Sequence, residues 1–174
     1  MTSPFAEYEL TQKPPFEMEI SMAVGSRFVL DPAAVTTVSR RRSDQIYVQG
    51  SDELFRRGWG GTQNHHVRCD AGTWLVSDLG HHSPIWVNDT RISGPTRALK
   101  NGDRVAPARG LVFTFFHRDD LEPLASELAT RVEVLRGEER VLIDWLLERG
   151  LRSREEAQRA VTHFRYRIAA SGGL

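Results

Sequence analysis

Apolar and polar residues alternate in short runs through most of the chain, then recur every three to four positions toward its C-terminal end. The first period marks half-buried strands and the second amphipathic helices. Phe16, Met18 and Ile20 alternate with Glu17, Glu19 and Ser21. Turns at Gly25-Ser26 and Asp31-Pro32 separate strands predicted over residues 27–30 and 35–39. Further strands are expected at Ile46-Tyr47-Val48, over residues 63–69, and at 74–77, where Trp74 and Val76 oppose Leu75 and Ser77. Ile85-Trp86-Val87 ends at Asn88-Asp89, a pair suited to a two-residue hairpin loop returning toward Ile92. The apolar run over residues 111–116 reads as a closing strand. Short strands joined by Gly, Pro, Asn and Asp turns predict a mainly β fold, an antiparallel β-sandwich. Residues 1–15, with Pro4, Pro14 and Pro15, read as a flexible lead-in.

Beyond His117 the helical period takes over. Leu121, Leu124, Leu128, Val132 and Leu135 mark one helix, stopped near Gly137. Val141, Leu142, Trp145 and Leu146 mark a second, stopped near Gly150. A third starts at Ser153, where Glu156 three residues on completes a capping-box pattern, and its apolar face is Ala157, Ala160, Val161, Phe164 and Ile168. The expected organisation is a lead-in at 1–15, a sandwich at 16–118 and a helical extension at 119–174.

Composition narrows the function classes. The 174 residues hold 23 basic and 23 acidic side chains, so no global field draws the chain to nucleic acid or membrane. The single cysteine, Cys69, excludes an internal disulfide and reads as an inward, reduced, inert thiol. With no export signal and no long apolar run, the expectation is a cytoplasmic protein without a membrane span. No phosphate loop, H-E-x-x-H or cysteine pair suggests catalysis, metal or cofactor. Four of the six histidines form two adjacent pairs, His65-His66 and His81-His82. Adjacent residues on a strand face opposite ways, which works against a shared ion.

The stretch from Trp74 to Ile92 resembles the forkhead-associated (FHA) phosphopeptide-binding domain, with its signature W-x-L-x-D-L-G-S-x-N-G-T-x-V-N-G and a later L-x-x-G-D-x-(V/I). Trp74, Asp78, Leu79, Gly80, Val87, Asn88 and Ile92 carry the first part, and Leu99, Gly102, Asp103 and Val105 the second. Upstream, Arg40-Arg41-Arg42-Ser43-Asp44 followed by Ile46-Tyr47-Val48 resembles the family's G-R-x-x-x-(C/S/N)-D-(I/L)-x-(I/L/V), with Ser39 at the glycine and Arg40 at the phosphate-contacting arginine. The resemblance implies structural roles for His66, Trp74, Asp78, Leu79, Gly80, Gly102 and Asp103. It implies a ligand-binding apical face made by Arg40, Gln63, Asn64, Ser83 and Asn88. Here Gln63 and Asn64 replace the family's phosphate-binding serine and the following arginine, Ser83 replaces its peptide-fixing asparagine, and Pro84 replaces a glycine. This register puts Val67 and Cys69 on the inner face. A slipped one would put Thr62 at the serine position and His65 at the histidine, and would turn Arg68 inward.

The resemblance and the replacements together point to a non-catalytic protein-interaction or assembly module with phosphothreonine binding weak or lost. Its partner would be another protein, met through the apical loops or the C-terminal helices, and self-association fits the same surfaces. The alternative is a transcriptional regulator whose last two helices form a helix-turn-helix reading DNA. Residues 121–174 hold nine arginines and nine acidic residues, a balance that disfavours a phosphate backbone.

Overall fold

A computed structural model describes residues 5–14, 20–50, 63–79, 85–92, 96–118, 127 and 139–170. Two sheets face each other. The first has six strands in the order β2-β1-β11-β10-β7-β8, built from β1 (Ala6–Gln12), β2 (Arg27–Leu30), β7 (Trp86–Val87), β8 (Thr90–Arg91), β10 (Arg104–Ala108) and β11 (Leu111–His117). The second runs β4-β3-β5-β6-β9, from β3 (Thr36–Ser39), β4 (Ile46–Tyr47), β5 (Gln63–Asp70), β6 (Thr73–Asp78) and β9 (Arg97–Ala98). All pairings are antiparallel except β3 with β4, which is parallel. The strand expected over residues 16–20 and the helix expected over 121–135 lie outside the described residues, apart from Ile20, which bridges Gly50, and Glu127.

The lead-in is the main correction. Residues 6–12 form β1, hydrogen-bonded on one side to β2 and on the other to β11. Ala6, Tyr8 and Leu10 are fully buried, while Glu7 and Glu9 face the other way. The period-two signal was in the sequence, and the prolines flank the strand instead of interrupting it.

The core between the sheets is aromatic at its centre. Tyr8 stacks on Phe113 at 5.4 Å between ring centroids, and Trp74 lies against Phe115 at 6.0 Å. Trp74 is completely buried, as its place in the alternation predicts. Leu79, to which the resemblance gives a structural role, is only half-buried, one residue beyond the end of β6. On β5 the inner face takes His65, Val67 and Cys69, and Arg68 points outward to the Ser77 hydroxyl at 3.0 Å. Val67, Cys69 and Arg68 thus face as expected, but the buried and bonded histidine is His65 and not His66, to which the resemblance had given the structural role. Cys69 is half-buried against the core, and burial pushes its thiol pKa up. Two hairpins close on left-handed pairs: Ala71-Gly72 between β5 and β6, and Asn88-Asp89, at φ of 51° and 66°, between β7 and β8.

A polar chain crosses this apolar interior. Asn64 and His65 are both fully buried because β5 carries an extra residue opposite Val38–Ser39, where the register shifts from His65 to Gln63. The Asn64 side-chain amide donates to the Pro107 carbonyl at 3.3 Å, which leaves its oxygen to accept from His65 Nδ1. His65 Nε2 then accepts from the Tyr8 hydroxyl at 3.2 Å. Every side-chain group in the chain has a partner, the condition under which buried polar groups are tolerated. Burial, with a smaller contribution from neighbouring His66, lowers the His65 pKa from 6.5 to about 3, so the imidazole stays neutral.

Among the described residues two longer helices follow the sandwich, α1 (Glu139–Glu148) and α2 (Arg154–Ala170), and Glu127 before them is helical. Gly150, at φ 96°, ends α1: its amide reaches Leu147 O and that of Leu151 reaches Leu146 O, while Leu151 is buried with Leu146. Ser153 Oγ caps α2 by accepting from the Glu156 amide at 3.1 Å. Glu156 reaches back to the Arg152 amide, one residue further than a reciprocal capping box requires. Leu142, Ile143, Trp145 and Leu146 of α1 pack on Ala157, Ala160 and Val161 of α2, whereas Val141 is exposed. The side chains of Phe164 and Ile168 lie outside the described residues. No described helix is long and apolar enough to cross a membrane.

Replacing Trp74 by alanine should cost about 3–5 kcal/mol, read as a large drop in melting temperature, with Leu79→Ala costing visibly less. An unchanged melt for Trp74→Ala would contradict its burial. Acid should also destabilise the fold. The unfolded chain binds a proton at His65 near its ordinary pKa and the folded one does not, so this contribution is complete above pH 6.5 and is lost progressively toward pH 3. Urea titrations across that window should show a steeper loss in the parent than in His65→Gln.

Candidate functional site

The strand directions sort the loops into two ends. Ser39 lies beside Gln63, and Asp78 beside His65. The last residue of β10, Ala108, faces the first of β11, Leu111, across their turn. Strand ends and starts therefore meet at one end of the sandwich: the segment after β3, the start of β5, the end of β6 and the β10–β11 turn. This apical end is where the FHA resemblance places ligand contacts.

The segment after β3 is a tight basic loop. Ser39 Oγ accepts from the Arg41 amide at 2.8 Å, and the Arg41 carbonyl accepts from the Asp44 amide at 3.1 Å. The Gln45 side chain closes the base by accepting from the Thr37 amide at 2.9 Å. Arg40 is half-buried where the loop leaves β3, and Arg41 and Arg42 are exposed. Arg42 lies 6.0 Å from the Tyr47 ring. Below the loop, His66 is half-buried on the outer face, its pKa lowered by burial against the opposing pull of Asp44. His65 and His66 thus face opposite sides of β5, and no metal-binding cluster of three or more residues occurs among the described residues.

Of the predicted ligand contacts, Arg40 and the Gln63 backbone come together at this end. Ser83 lies outside the described residues, as do Gly80, His81, His82 and Pro84. Asn64 must be reassigned. The extra residue in β5 turns it into the sandwich, where the polar chain consumes its amide. No alternation rule reads a bulge from one sequence.

Asn88 must also be moved, to the opposite end. Its side chain donates to Asp103 Oδ1 and accepts from the Arg104 amide, both at 2.9 Å, and its own amide donates to the Arg104 carbonyl. Asp103 in turn accepts from the Lys100 amide at 2.8 Å. Gly102, at φ 89°, makes the turn between them, with its amide 2.7 Å from the Phe115 carbonyl. Asn88, Gly102 and Asp103 form a structural clamp between two distal turns. Neither polar group of the Asn88 amide is left for a ligand.

The helices dock near this distal end. Phe5, just before β1, inserts into their apolar cluster. Glu7 receives Arg159 of α2 at 2.6 Å, and Arg118 pairs with Glu156. Burial raises the Glu7 pKa against the attraction of Arg159. A cleft of about 830 Å³ lies between helices and sheet, and its charges largely satisfy one another, with Arg27 on Glu9 at 2.5 Å in addition to these pairs. Arg154, expected on a DNA-reading helix, pairs with Asp144 at 3.0 Å.

No protein-family model and no curated protein matches the sequence. Solved structures are similar. The FHA domain of a hypothetical protein from Arabidopsis thaliana superposes with a TM-score of 0.51 at 16% identity, covering 67% of this chain and 88% of that one. The FHA domain of a Chlamydia trachomatis protein gives 0.50 at 16% identity, covering 66% of this chain and 98% of that one. At such identities the likeness speaks for the fold: the chain has an FHA-like fold, a mainly β sandwich of divergent sequence followed by C-terminal helices.

Proposed function

We propose that the chain is a non-catalytic protein-interaction module that docks a segment of a partner protein at its apical end, with phosphothreonine recognition weak or lost. The observation that carries this reading is the basic Arg40–Arg42 loop beside the start of β5, on a sandwich of FHA-like fold. Arginine is suited to anionic or carbonyl-rich partners because its guanidinium presents several donors in a fixed plane. The residues at the other expected ligand-reading positions support weakened phosphate recognition. Asn64 is turned inward, Asn88 is engaged at the far end, and the sequence has Ser83-Pro84 where the family has asparagine and glycine. A phosphate held by one arginine lacks the additional charge-assisted donors, each worth roughly 1.5–3 kcal/mol, that fix it in a specific pose.

The helical extension is better explained as part of the module's architecture than as a DNA reader. Arg159 is engaged by Glu7 and Arg154 by Asp144, and the first turn of α2 carries Glu155 and Glu156. A phosphate backbone would have to displace those carboxylates.

Titration of the full chain against a phosphothreonine peptide library should give no micromolar complex. A micromolar complex that disappears in Arg40→Ala would show that phosphate reading survives. A partner captured from the native host and identified by mass spectrometry should lose affinity for the Arg40→Ala/Arg41→Ala variant. Unchanged affinity would move the docking surface away from the apical loop.

A further inference from the structure

We propose that the chain Tyr8–His65–Asn64–Pro107 is a cross-brace that fixes the geometry of the apical end, making Tyr8 and Asn64 positioning residues for whatever that end binds. The inference rests on the reading of the apical end as the docking face.

Three apical segments converge on Asn64. Its side-chain amide holds the Pro107 carbonyl, its backbone carbonyl accepts from the Leu79 amide at 3.2 Å, and Gln63 precedes it on β5. One residue thus ties the start of β5 to the end of β6 and to the approach to the β10–β11 turn. Pro107 is suited to its part. The β10–β11 register shifts between Val105 and Ala108, so the proline sits at an irregularity where a missing amide breaks no regular pairing, and its carbonyl is left for a side chain. The turn beyond it packs closely, with a Cβ on Gly110 falling 3.2 Å from Pro14 Cα.

Asn64 is held in turn by His65, and His65 by Tyr8, across the full thickness of the sandwich. The order of donors admits one arrangement. Asn64 spends its amide on a carbonyl and can only accept from His65 Nδ1, so the imidazole carries its proton there and accepts from the tyrosine hydroxyl at Nε2. Removing the hydroxyl leaves a buried acceptor without a donor. The imidazole is then free to turn or change tautomer, and Asn64 loses its orientation. The effect falls first on the apical segments, because Asn64 holds them; the side-chain bonds of the distal clamp are separate from this chain, although Asp103 acts electrostatically on the Tyr8 hydroxyl and the Gly102 turn is bonded to Phe115, the strand partner of Tyr8.

The test uses the full chain, labelled with 15N, and needs no ligand. Imidazole 15N shifts of the parent should show a neutral ring protonated at Nδ1, and a ring protonated at Nε2 would overturn the proposal. In Tyr8→Phe, hydrogen exchange at the amides of Leu79 and of the β10–β11 turn should accelerate about tenfold relative to that of Asn88, which is bonded to the Arg104 carbonyl, the expected effect of one lost buried hydrogen bond. Acceleration spread evenly over both ends would reduce the chain to general stabilisation and sink the idea. In Asn64→Asp, a carboxylate beside the ring should make His65 titrate at a clearly higher pH than in the parent, and an unmoved titration would count against the contact. None of these readouts depends on a partner. Failure to bind at the apical end would leave them untouched, and their failure would leave the docking face standing.

Discussion

The arrangement depends on the pairing of β1 between β2 and β11. A strand in the interior of a sheet has both edges satisfied, so its side chains divide between the two faces. Here the two faces meet different parts of the chain. Tyr8 and Leu10 enter the core, with Tyr8 reaching across to the second sheet, while Glu7 and the preceding Phe5 hold the helices. Without β1 the sandwich would lose its cross-sheet brace, and the helices would lose both a buried ion partner and their apolar anchor on the sheet.

Much of this was legible in the residues, and what was not has physical causes. Trp74, Val67 and Cys69 follow the period of two, and the hairpin at Asn88-Asp89 follows from residues that tolerate positive φ. The stop at Gly150 and the cap at Ser153 fall where helix-end chemistry puts them. The alternation of Ala6, Tyr8 and Leu10 was outweighed by nearby prolines. Asn64 was misread because a bulge breaks the period and nothing local announces it. Asn88 was misread because neighbours in a signature need not be neighbours in space: a short strand separates it from the apical end.

The apical and distal ends divide the work. The distal end spends its polar side chains on itself, in the clamp of Asn88 and Asp103 and in the ion pairs under the helices. The apical end presents exposed Arg41 and Arg42 above the bonded chain of Asn64, His65 and Tyr8. Under the proposed docking role this combination would suit recognition, since side chains already held by hydrogen bonds lose little conformational entropy when a partner arrives.

The helices and the sandwich keep separate apolar clusters, and among the described residues Phe5 alone carries the sandwich side into the helical one. Interiors that do not interlock transmit little packing strain to each other. The helical side can therefore accumulate substitutions, or be exchanged for a different hairpin, as long as it still offers a socket for one aromatic ring and charges opposite Glu7 and Arg118. Such a chain can change its appendage through evolution without reopening the fold of its sandwich.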